Sequence, residues 1–265
     1  MAFVSYSSDG AVARLTISRP ERRNALNHEA LEELHDGVRR AAAAAESGVR
    51  VLVITGDDDQ FCAGADLKEL EDLAFTRSLR AALDDLAALP FPTIAAIAGA
   101  CMGLGTQIAL SCDLRLATPD ARFAVPVAKL GLMVDHWTIQ RLAMLVGHST
   151  ARWMVLTARP VPAIDAHRVG LVHQLVDVEV EADAGSGPGQ SVLDAANDLA
   201  AEIATLAPLA LAGSKLGLDL LQPSGELVDP DGSYLAAFEA AWASNDLVEG
   251  RTAFGERRPP VFRGS

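Results

Sequence analysis

Three glycines, Gly99, Gly103 and Gly105, mark the stretch of this sequence that is best suited to chemistry. The stretch, AGACMGLGTQIALSCD, follows the short apolar run TIAAI and is typical of a buried strand, a tight turn and the start of a helix. The first turn of a helix leaves amide N–H groups without intrahelical partners, and glycine lets a ligand approach the backbone closely. These N–H groups could therefore hold a negatively charged oxygen.

Two structural alternatives would explain the same glycines. They could serve only to pack a strand on a helix, or the uncharged run at residues 92–112 could cross a membrane with Gly99 and Gly103 in a helix contact. The membrane interpretation is weak, because Gly, Ala, Ser, Thr and Gln add little hydropathy and no basic cluster follows the run. We therefore expect a globular protein that does not insert into a membrane.

The composition of the 265 residues narrows the class of protein. Apolar residues make up 50% and charged residues 22%, which suits one large packed domain with or without a small appendage. The net charge of −13 argues against nucleic acid as a partner, because phosphate backbones are bound mainly by Lys and Arg. Three cysteines without paired spacing predict neither a disulfide framework nor a metal site, and no secretory signal is apparent, so we expect a cytoplasmic protein.

Hydrophobic periodicity divides the chain into a mixed part and a helical part. Strands are predicted at residues 2–7, 11–18, 49–55, 93–97 and 114–117, and helices at 28–45, 67–89, 135–147, 191–206, 209–221 and 233–242. The segment EVEADAGSGPGQ between the two groups has the composition of an exposed linker. We therefore expect a mixed α/β core at residues 1–190 and a helical region at residues 191–265.

A group of arginines stands out in so acidic a chain. Arg19, Arg22 and Arg23 lie within five positions, just before the helix predicted at residues 28–45. The group could bind an anionic ligand, or it could be a solvated loop that balances nearby acids. Spacing alone gives the two interpretations equal weight.

Several segments, taken together and in order, resemble the enoyl-CoA hydratase/isomerase (crotonase) superfamily. They are RPERRNALN, VLVITG followed by FCAGADLKEL, AIAGACMGLGTQIALSCDLRLA, GLVHQLV and the tail EGRTAFGERRPPVF. The resemblance extends from about Arg14 to Phe262 and implies a spiral of ββα units followed by C-terminal helices that build trimers, often stacked as hexamers. It also implies an acyl-CoA thioester ligand, so that coenzyme A is part of the substrate and no cofactor is bound covalently.

Two backbone N–H groups are the device that the resemblance assigns to the thioester. By position they belong to Ala65 in AGAD and Leu104 in GLG, where the family usually has glycine at the second place. Charge accumulates on the carbonyl oxygen when a proton leaves the neighbouring carbon, and fixed N–H donors stabilise it. The same pair would also hold a ligand without any reaction.

Residues around this pair are implied to bind coenzyme A. The implied set consists of Arg22, Arg23, Ala63, Ala65, Asp66 and Leu67. One of the two arginines would lie near the phosphates, and the other four residues would line the coenzyme through backbone contacts.

The acid–base residues that the resemblance leads us to expect are replaced in this chain. Hydratases of the family use two glutamates, and the matching positions here are Gln107 and Val127. An amide does not titrate in the working pH range and valine has no proton to exchange, so neither can act as a general acid or base. We therefore expect poor hydration of a double bond.

Asp135, in GLMVDHWTIQRL, is the best remaining acid–base candidate. Branches of the superfamily that shift dienes or displace a halide from an aryl thioester resemble this chain in carrying an aspartate here. Asp directly before a helix is also a favoured N-cap, worth about 1 kcal/mol, and we favour capping slightly over catalysis. His136 and Trp137 would narrow the acyl channel. The predicted function is that of an enoyl-CoA hydratase/isomerase-like enzyme of fatty acid metabolism, with a catalytically silent acyl-CoA-binding protein as the alternative.

Overall fold

A six-stranded sheet lies at the centre of the structure, a computed structural model that describes residues 2–66, 73–176, 191–221 and 228–265. The strands of the chain are β1 (Val4–Asp9), β2 (Val12–Ile17), β3 (Val51–Gly56), β4 (Thr93–Ile97), β5 (Ala100–Met102), β6 (Leu114–Ala117), β7 (Arg122–Ala124), β8 (Val161–Pro162) and β9 (Gln174–Leu175). The order in the large sheet is β1-β2-β3-β4-β6-β9. β1 and β2, which match the two predicted N-terminal strands, form an antiparallel hairpin, and the other neighbours are parallel.

Helices connect and cover these strands. They are α1 (His28–Ala44), α2 (Leu73–Ala87), α3 (Leu104–Ser111), α4 (His136–Thr157), α5 (Ala163–Arg168), α6 (Val192–Ala204), α7 (Pro208–Asp219), α8 (Ser233–Trp242) and α9 (Asn245–Glu256). α4 is interrupted at Gly147, whose φ of 74° and ψ of 157° are not helical, so a helical segment ends there as predicted. Strands alternating with helices, followed by helices alone, confirm the predicted α/β class with C-terminal helices.

Both faces of β3 are buried, which explains why this strand is an almost uninterrupted apolar run. Leu52 and Ile54 belong to the apolar cluster that contains Leu31 of α1, whereas Val51 and Val53 pack with α6 on the other face. Successive residues of a strand face opposite sides, so a strand covered on both sides needs apolar residues at every position. The helix that follows the predicted linker therefore covers the sheet, and the division at residue 190 stays a prediction.

The second sheet has the order β5-β7-β8, and its first strand leads directly into α3. β5 lies parallel to β7, and β7 lies antiparallel to β8. β5 ends at Met102 and α3 begins at Leu104, so Gly103 alone makes the turn. The predicted strand is β4, which pairs within the large sheet, and the predicted helix is α3. The short β5 between them was not predicted.

Sequence periodicity misses several elements of the structure. α9 contains Gly250 and Gly255 among charged residues and shows no clear apolar stripe, so its sequence does not indicate a helix. α5, β8 and β9 are too short to produce a period. The helix predicted from residue 67 is described from Leu73 onward, and residues 67–72 and 177–190 lie outside the described residues.

A buried arginine joins β6 to the end of α3. Arg115 Nε donates to the carbonyl oxygen of Leu171 at 2.6 Å, and Nη1 donates to those of Ala109 at 3.1 Å and Cys112 at 2.7 Å. Burial lowers the pKa of its guanidinium to about 10, so the group stays charged at neutral pH. A positive charge at the C-terminal end of a helix stabilises the carbonyl groups that have no intrahelical donor.

No single helix in the described ranges is long and apolar enough to cross a membrane. α6 and α7 reach the required length and composition only when they are taken together, and the chain bends by 110° between them.

Protonation of His173, at the edge of the large sheet, makes the free energy of unfolding depend on pH. Its Nδ1 accepts a hydrogen bond from Arg115 N at 3.1 Å, between β6 and β9. The residue is exposed overall, but partial burial of its ring, followed by the charge of Arg115, lowers the pKa of the imidazole below its ordinary 6.5. At pH values above the ordinary 6.5 the imidazole is neutral in both the folded and the unfolded chain. As the pH falls through it, the unfolded chain binds the proton first, so the free energy of unfolding decreases.

We expect His173→Asn to reduce the loss of stability between about pH 7 and about pH 5, the range in which an exposed histidine gains its proton. The Asn side-chain oxygen can accept the hydrogen bond from Arg115 N, and an amide does not titrate. Urea unfolding at a series of pH values measures the effect. A decline that runs parallel in the two proteins would contradict this role of His173.

Candidate active site

The first turn of α3 presents a backbone N–H group that has no partner in the helix. Gly103 precedes the helix with φ 52° and ψ −111°, a conformation that side chains other than glycine avoid. Leu104 is the first helical residue, and its N–H donates no hydrogen bond to another described residue. The geometry at this turn therefore leaves the Leu104 N–H as an oriented donor at the positive end of the helix dipole.

Residues 62–66 run beside β5 and bring a second donor to this turn. Cys62 bridges Cys101 in parallel register: Cys62 N donates to the Ala100 carbonyl oxygen at 2.9 Å, and Met102 N donates to that of Cys62 at 3.0 Å. The segment thus extends the edge of the small sheet by one isolated bridge. Its position relative to α3 is fixed by backbone hydrogen bonds.

The orientation of Ala65 follows from its own bridge to Leu26. Leu26 N donates to the Gly64 carbonyl oxygen at 2.9 Å, and Asp66 N donates to the Leu26 carbonyl oxygen at 2.8 Å. In a parallel bridge of this kind the N–H of the central residue points away from the partner strand. Ala65 N–H therefore points away from Leu26, and it donates to no other described residue.

Two glycines allow the two backbones to touch. Gly64 has a φ of 116°, and a Cβ atom there would lie 3.1 Å from the Met102 carbonyl oxygen and 3.9 Å from Leu104 N. A Cβ atom on Gly105 would overlap the Cys62 carbonyl oxygen. The predicted pair of donors, Ala65 and Leu104, therefore lies on neighbouring segments in van der Waals contact.

Of the three arginines that precede α1, one has a buried side chain and two have exposed side chains. Arg19 is buried, and its Nη1 lies 3.0 Å from Asp66 Oδ2, so this pair supports the loop from inside. Arg22 and Arg23 are exposed. Ala63 N donates to the Arg23 carbonyl oxygen at 3.0 Å, which places the exposed arginines beside the segment that carries Ala65.

Asn24 was not singled out from the sequence, yet it joins the arginine loop to the segment that follows β3. Its side-chain amide donates to the carbonyl oxygens of Asp57 at 2.8 Å and Gln60 at 2.5 Å, while its side-chain oxygen accepts from Arg19 N at 2.7 Å. The residue is fully buried and has a φ of 57°, which Asn tolerates better than most residues. A buried polar side chain with three hydrogen bonds fixes a loop in one conformation.

Asp135 is the N-cap of α4. Its carboxylate accepts hydrogen bonds from Thr138 N at 3.0 Å and from Thr138 Oγ1 at 2.9 Å, which confirms the predicted capping contact. Arg80 Nη1 of α2 lies 3.6 Å from the same carboxylate, and its guanidinium stacks 4.2 Å from the centre of the Trp137 ring. Arg80 Nε also lies 2.9 Å from Asp84 Oδ1 within α2. The contacts of Arg80 with Asp135 and Trp137 link α2 to the start of α4. No local sequence pattern predicted this link.

Gln107 and Val127, at the positions that match the two hydratase glutamates, carry no group that titrates. Gln107 lies in α3 and is 7% exposed, and its Oε1 has no hydrogen-bond partner among the described residues. Val127 lies in a short 3₁₀ segment, Pro126–Leu130, and packs partly buried against the main core. His136 is exposed, and Leu67 lies outside the described residues.

The sequence and the fold of this chain are similar to those of known proteins. The enoyl-CoA hydratase/isomerase family matches the chain over residues 7–265. A Mycobacterium leprae protein named “Probable enoyl-CoA hydratase echA6” is 38% identical over 259 residues, which is 96% of each chain. An enoyl-CoA hydratase/isomerase family protein from Hyphomonas neptunium has a TM-score of 0.86 at 30% identity, covering 99% of this chain and 98% of its own. Enoyl-CoA hydratase from Bacillus anthracis has a TM-score of 0.85 at 29% identity, covering 99% of this chain and 100% of its own.

The sheet order, the helices that cover it and the C-terminal helices define a protein of the crotonase fold. The match to a family over nearly the whole chain makes the assignment more specific. The chain belongs to the enoyl-CoA hydratase/isomerase family, as its motifs indicated, and it is a lyase- or isomerase-like enzyme.

If Ala65 and Leu104 hold a thioester oxygen, as the family resemblance implies, we expect Gly64→Ala to weaken the binding of butyryl-CoA about tenfold, because a displaced donor loses a hydrogen bond worth about 1 kcal/mol or more. The added carbon would push against the Met102 carbonyl oxygen and move the Ala65 N–H relative to Leu104. Isothermal titration calorimetry measures the affinity.

Gly48→Ala is the matched control for this prediction. Gly48 also has a positive φ, 104°, and a Cβ atom there would meet no atom within 4 Å. The control therefore strains the backbone at a comparable φ without a collision. Equal affinities for butyryl-CoA in the two variants would show that the contact at Gly64 does not set the donor geometry.

Proposed function

We propose that this enzyme binds an acyl-CoA thioester and holds the thioester oxygen with the N–H groups of Ala65 and Leu104. The observation that supports the proposal is that the two donors lie on segments in contact through Gly64, and neither donates to another described residue. A carbonyl oxygen between them would accept two hydrogen bonds from groups that the fold already orients.

Such a donor pair favours reactions that build negative charge on the thioester oxygen. When a proton leaves the α carbon, the electron pair of the broken C–H bond moves toward that oxygen and forms an enolate. Fixed donors stabilise the enolate, and the loss of one typically costs about 10²–10³ in rate, or about 3–4 kcal/mol. Migration of a double bond along the acyl chain is a reaction of this class.

Hydration of a double bond is less well supported. A hydratase needs one group to deprotonate the water and one to supply a proton to the acyl chain. In the family these groups are two glutamates, and the matching positions in this chain are Gln107 and Val127. An amide and an isopropyl group cannot perform these tasks, and each missing general acid or base commonly costs about 10²–10⁴-fold. We therefore propose that this enzyme is a poor hydratase.

We propose Asp135 as the group that moves a proton, in addition to its contacts at the start of α4. Its side chain is 34% exposed, and a carboxylate has about four acceptor positions, of which Thr138 occupies two. The guanidinium of Arg80 beside it would hold the carboxylate in one orientation. A proton on the acyl chain could then be removed and returned at another carbon.

The coenzyme A part of the ligand is proposed to lie along residues 63–66, with its phosphates near Arg22 and Arg23. Both arginines are exposed, whereas Arg19 is buried against Asp66 and would not reach a phosphate. Leu67 completes the proposed set but lies outside the described residues. In this proposal coenzyme A arrives and leaves as part of the substrate, and no cofactor is bound covalently.

A catalytically silent acyl-CoA-binding protein is the second candidate. The observation that favours it is that Gln107 and Val127, at the two positions of the hydratase glutamates, do not titrate. In that case the donor pair would bind the thioester oxygen without any subsequent proton transfer. Binding would then be strong while no bond of the acyl chain changes.

We predict that wild-type protein hydrates crotonyl-CoA very weakly but exchanges the α protons of butyryl-CoA with deuterium. Asp135→Asn should lower the exchange rate at least about tenfold, because an amide cannot act as a base. It should leave thermal stability and butyryl-CoA affinity nearly unchanged, because Asn is as good an N-cap as Asp. Mass spectrometry measures the exchange.

Asp135→Ala separates the two roles of this residue, since it also removes the cap and should cost about 1 kcal/mol of stability. Strong hydration that survives Asp135→Asn would show that the catalytic groups lie elsewhere. Tight binding without hydration, isomerisation or exchange by wild-type protein would identify the silent binder.

We also propose that the chain forms a homotrimer or hexamer in the cytoplasm through its C-terminal region. Several large apolar side chains are exposed there, at Leu218 (67%), Leu235 (57%), Trp242 (59%) and Phe254 (88%). Apolar surface on this scale favours association. Analytical ultracentrifugation at micromolar concentration should give at least a trimer, and a single monomeric species would contradict the proposal.

A further inference from the structure

The two helices that carry the proposed reacting groups are joined through Arg141 of α4. Its Nε donates to the carbonyl oxygen of Leu110, near the end of α3, at 3.3 Å. Leu110 lies six residues after Leu104 in α3. Arg141 likewise lies six residues after Asp135, the N-cap of α4. Along each helix axis the contact is therefore about 9 Å from the group that takes part in the proposed reaction.

Arg141 also pairs with Asp219, the last residue of α7. Asp219 Oδ1 accepts a hydrogen bond from Arg141 Nη1 at 3.5 Å, and the two side chains are 38% and 24% exposed. A negative charge is unfavourable at this end of a helix, because the carbonyl groups without intrahelical donors already make it negative. Burial also raises the pKa of the Asp219 carboxyl above its ordinary 3.8, against the opposing charges of Arg141 and Lys215. Asp219 therefore does not stabilise α7 itself, and its favourable contact is the one with Arg141.

Polar contacts seat α7 against the core. Within α7, all of which the structure describes, only Gly217 is buried, and it packs against α8. Lys215 Nζ donates to Asp113 Oδ2 at 2.8 Å and to the carbonyl oxygen of Phe91 at 3.2 Å. Lys215 lies four residues before Asp219, so both side chains lie on the same face of α7. That face is therefore anchored beside the end of α3 and beside α4 at the same time.

We infer that Asp219 is a positioning residue for the proposed proton transfer and acts through Arg141. This inference rests on the proposed function. The anchored α7 holds Asp219 in place, Asp219 fixes the guanidinium of Arg141, and the guanidinium joins α4 to the end of α3. The distance from the Asp135 carboxylate to the α carbon of a bound thioester thus depends on a contact about two helical turns away. A displacement near 1 Å that arises far from the reacting atoms can cost about 10²-fold in rate.

Asp219→Ala tests this role, because the rate and the affinity should respond differently. With saturating butyryl-CoA, we expect the exchange of α protons with deuterium to slow at least about fivefold. The affinity for butyryl-CoA, measured by calorimetry, should stay within about threefold of wild type, because the proposed binding contacts lie at residues 63–66 and Leu104. The melting temperature should stay equal or rise slightly, since alanine removes an unfavourable charge from the end of α7. Asp219→Glu keeps a carboxylate within reach of Arg141 and should recover most of the rate.

Asp165→Ala is the control variant. Asp165 Oδ1 lies 3.0 Å from Arg168 Nη1, so this substitution also removes a carboxylate that pairs with an arginine, but both residues belong to α5 and the pair joins no two helices. The control should exchange α protons at the wild-type rate. A wild-type rate in Asp219→Ala would overturn the inference, and so would an equal loss of rate in the control.

Hydrogen exchange of the backbone amides, read by mass spectrometry, measures the positioning without a ligand. Asp219→Ala should speed exchange in residues 136–146 of α4, whereas Asp165→Ala should not, and unchanged protection in Asp219→Ala would contradict the inference. If wild-type protein binds no CoA thioester or exchanges no α proton, the proposed function fails and the inference fails with it. If wild-type protein does both and Asp219→Ala matches its rate, the inference alone fails.

Discussion

The geometry of this site depends on the contact between two stretches of backbone. Residues 62–65 lie against the end of β5 and the first turn of α3, so closely that a Cβ atom on Gly105 would overlap the Cys62 carbonyl oxygen. Side chains in a core can change rotamer to relieve crowding, but two backbones in contact can separate only if the elements that hold them move. The bridges from Cys62 to Cys101 and from Ala65 to Leu26 therefore set the distance between the two donors as well as joining neighbouring segments.

The direction of the α3 axis matters for the site as much as the distance between α3 and residues 62–65. A helix of eight residues contains few intrahelical hydrogen bonds, so tertiary contacts determine how it lies. Thr106 holds its first turn through two backbone carbonyl groups, and Arg115 holds its last turn through the carbonyl groups of Ala109 and Cys112. With both ends fixed, the Leu104 N–H has one orientation, which is the condition for stabilising charge without reorganisation of the protein.

Local sequence patterns were sufficient for the elements that carry the site. The apolar run of β4 and the glycines after it predicted the strand, the turn and α3, and Asp135 before an apolar stripe predicted the cap, because each of these signals is contained in a few neighbouring residues. The contacts of Asn24 and Arg80 could not be predicted in this way. Each joins segments that are far apart in the chain, and periodicity within a segment carries no information about which distant segment it will meet. The position of Ala65 beside Leu104 came from family motifs, whereas its orientation became apparent only from the bridge to Leu26.

The protonation state of the buried cysteines matters for a thioester bound as proposed. Cys62 stands in the segment that carries Ala65, and its Sγ lies 3.7 Å from the Gly64 carbonyl oxygen as a weak donor. Burial raises the pKa of the Cys62 thiol to about 12, and that of Cys112 likewise. A thiolate exchanges with a thioester by attacking its carbonyl carbon and expelling the other thiolate, which transfers the acyl group. A thiol that stays protonated is a poor nucleophile, so an acyl-CoA bound as proposed would not transfer its acyl group to Cys62.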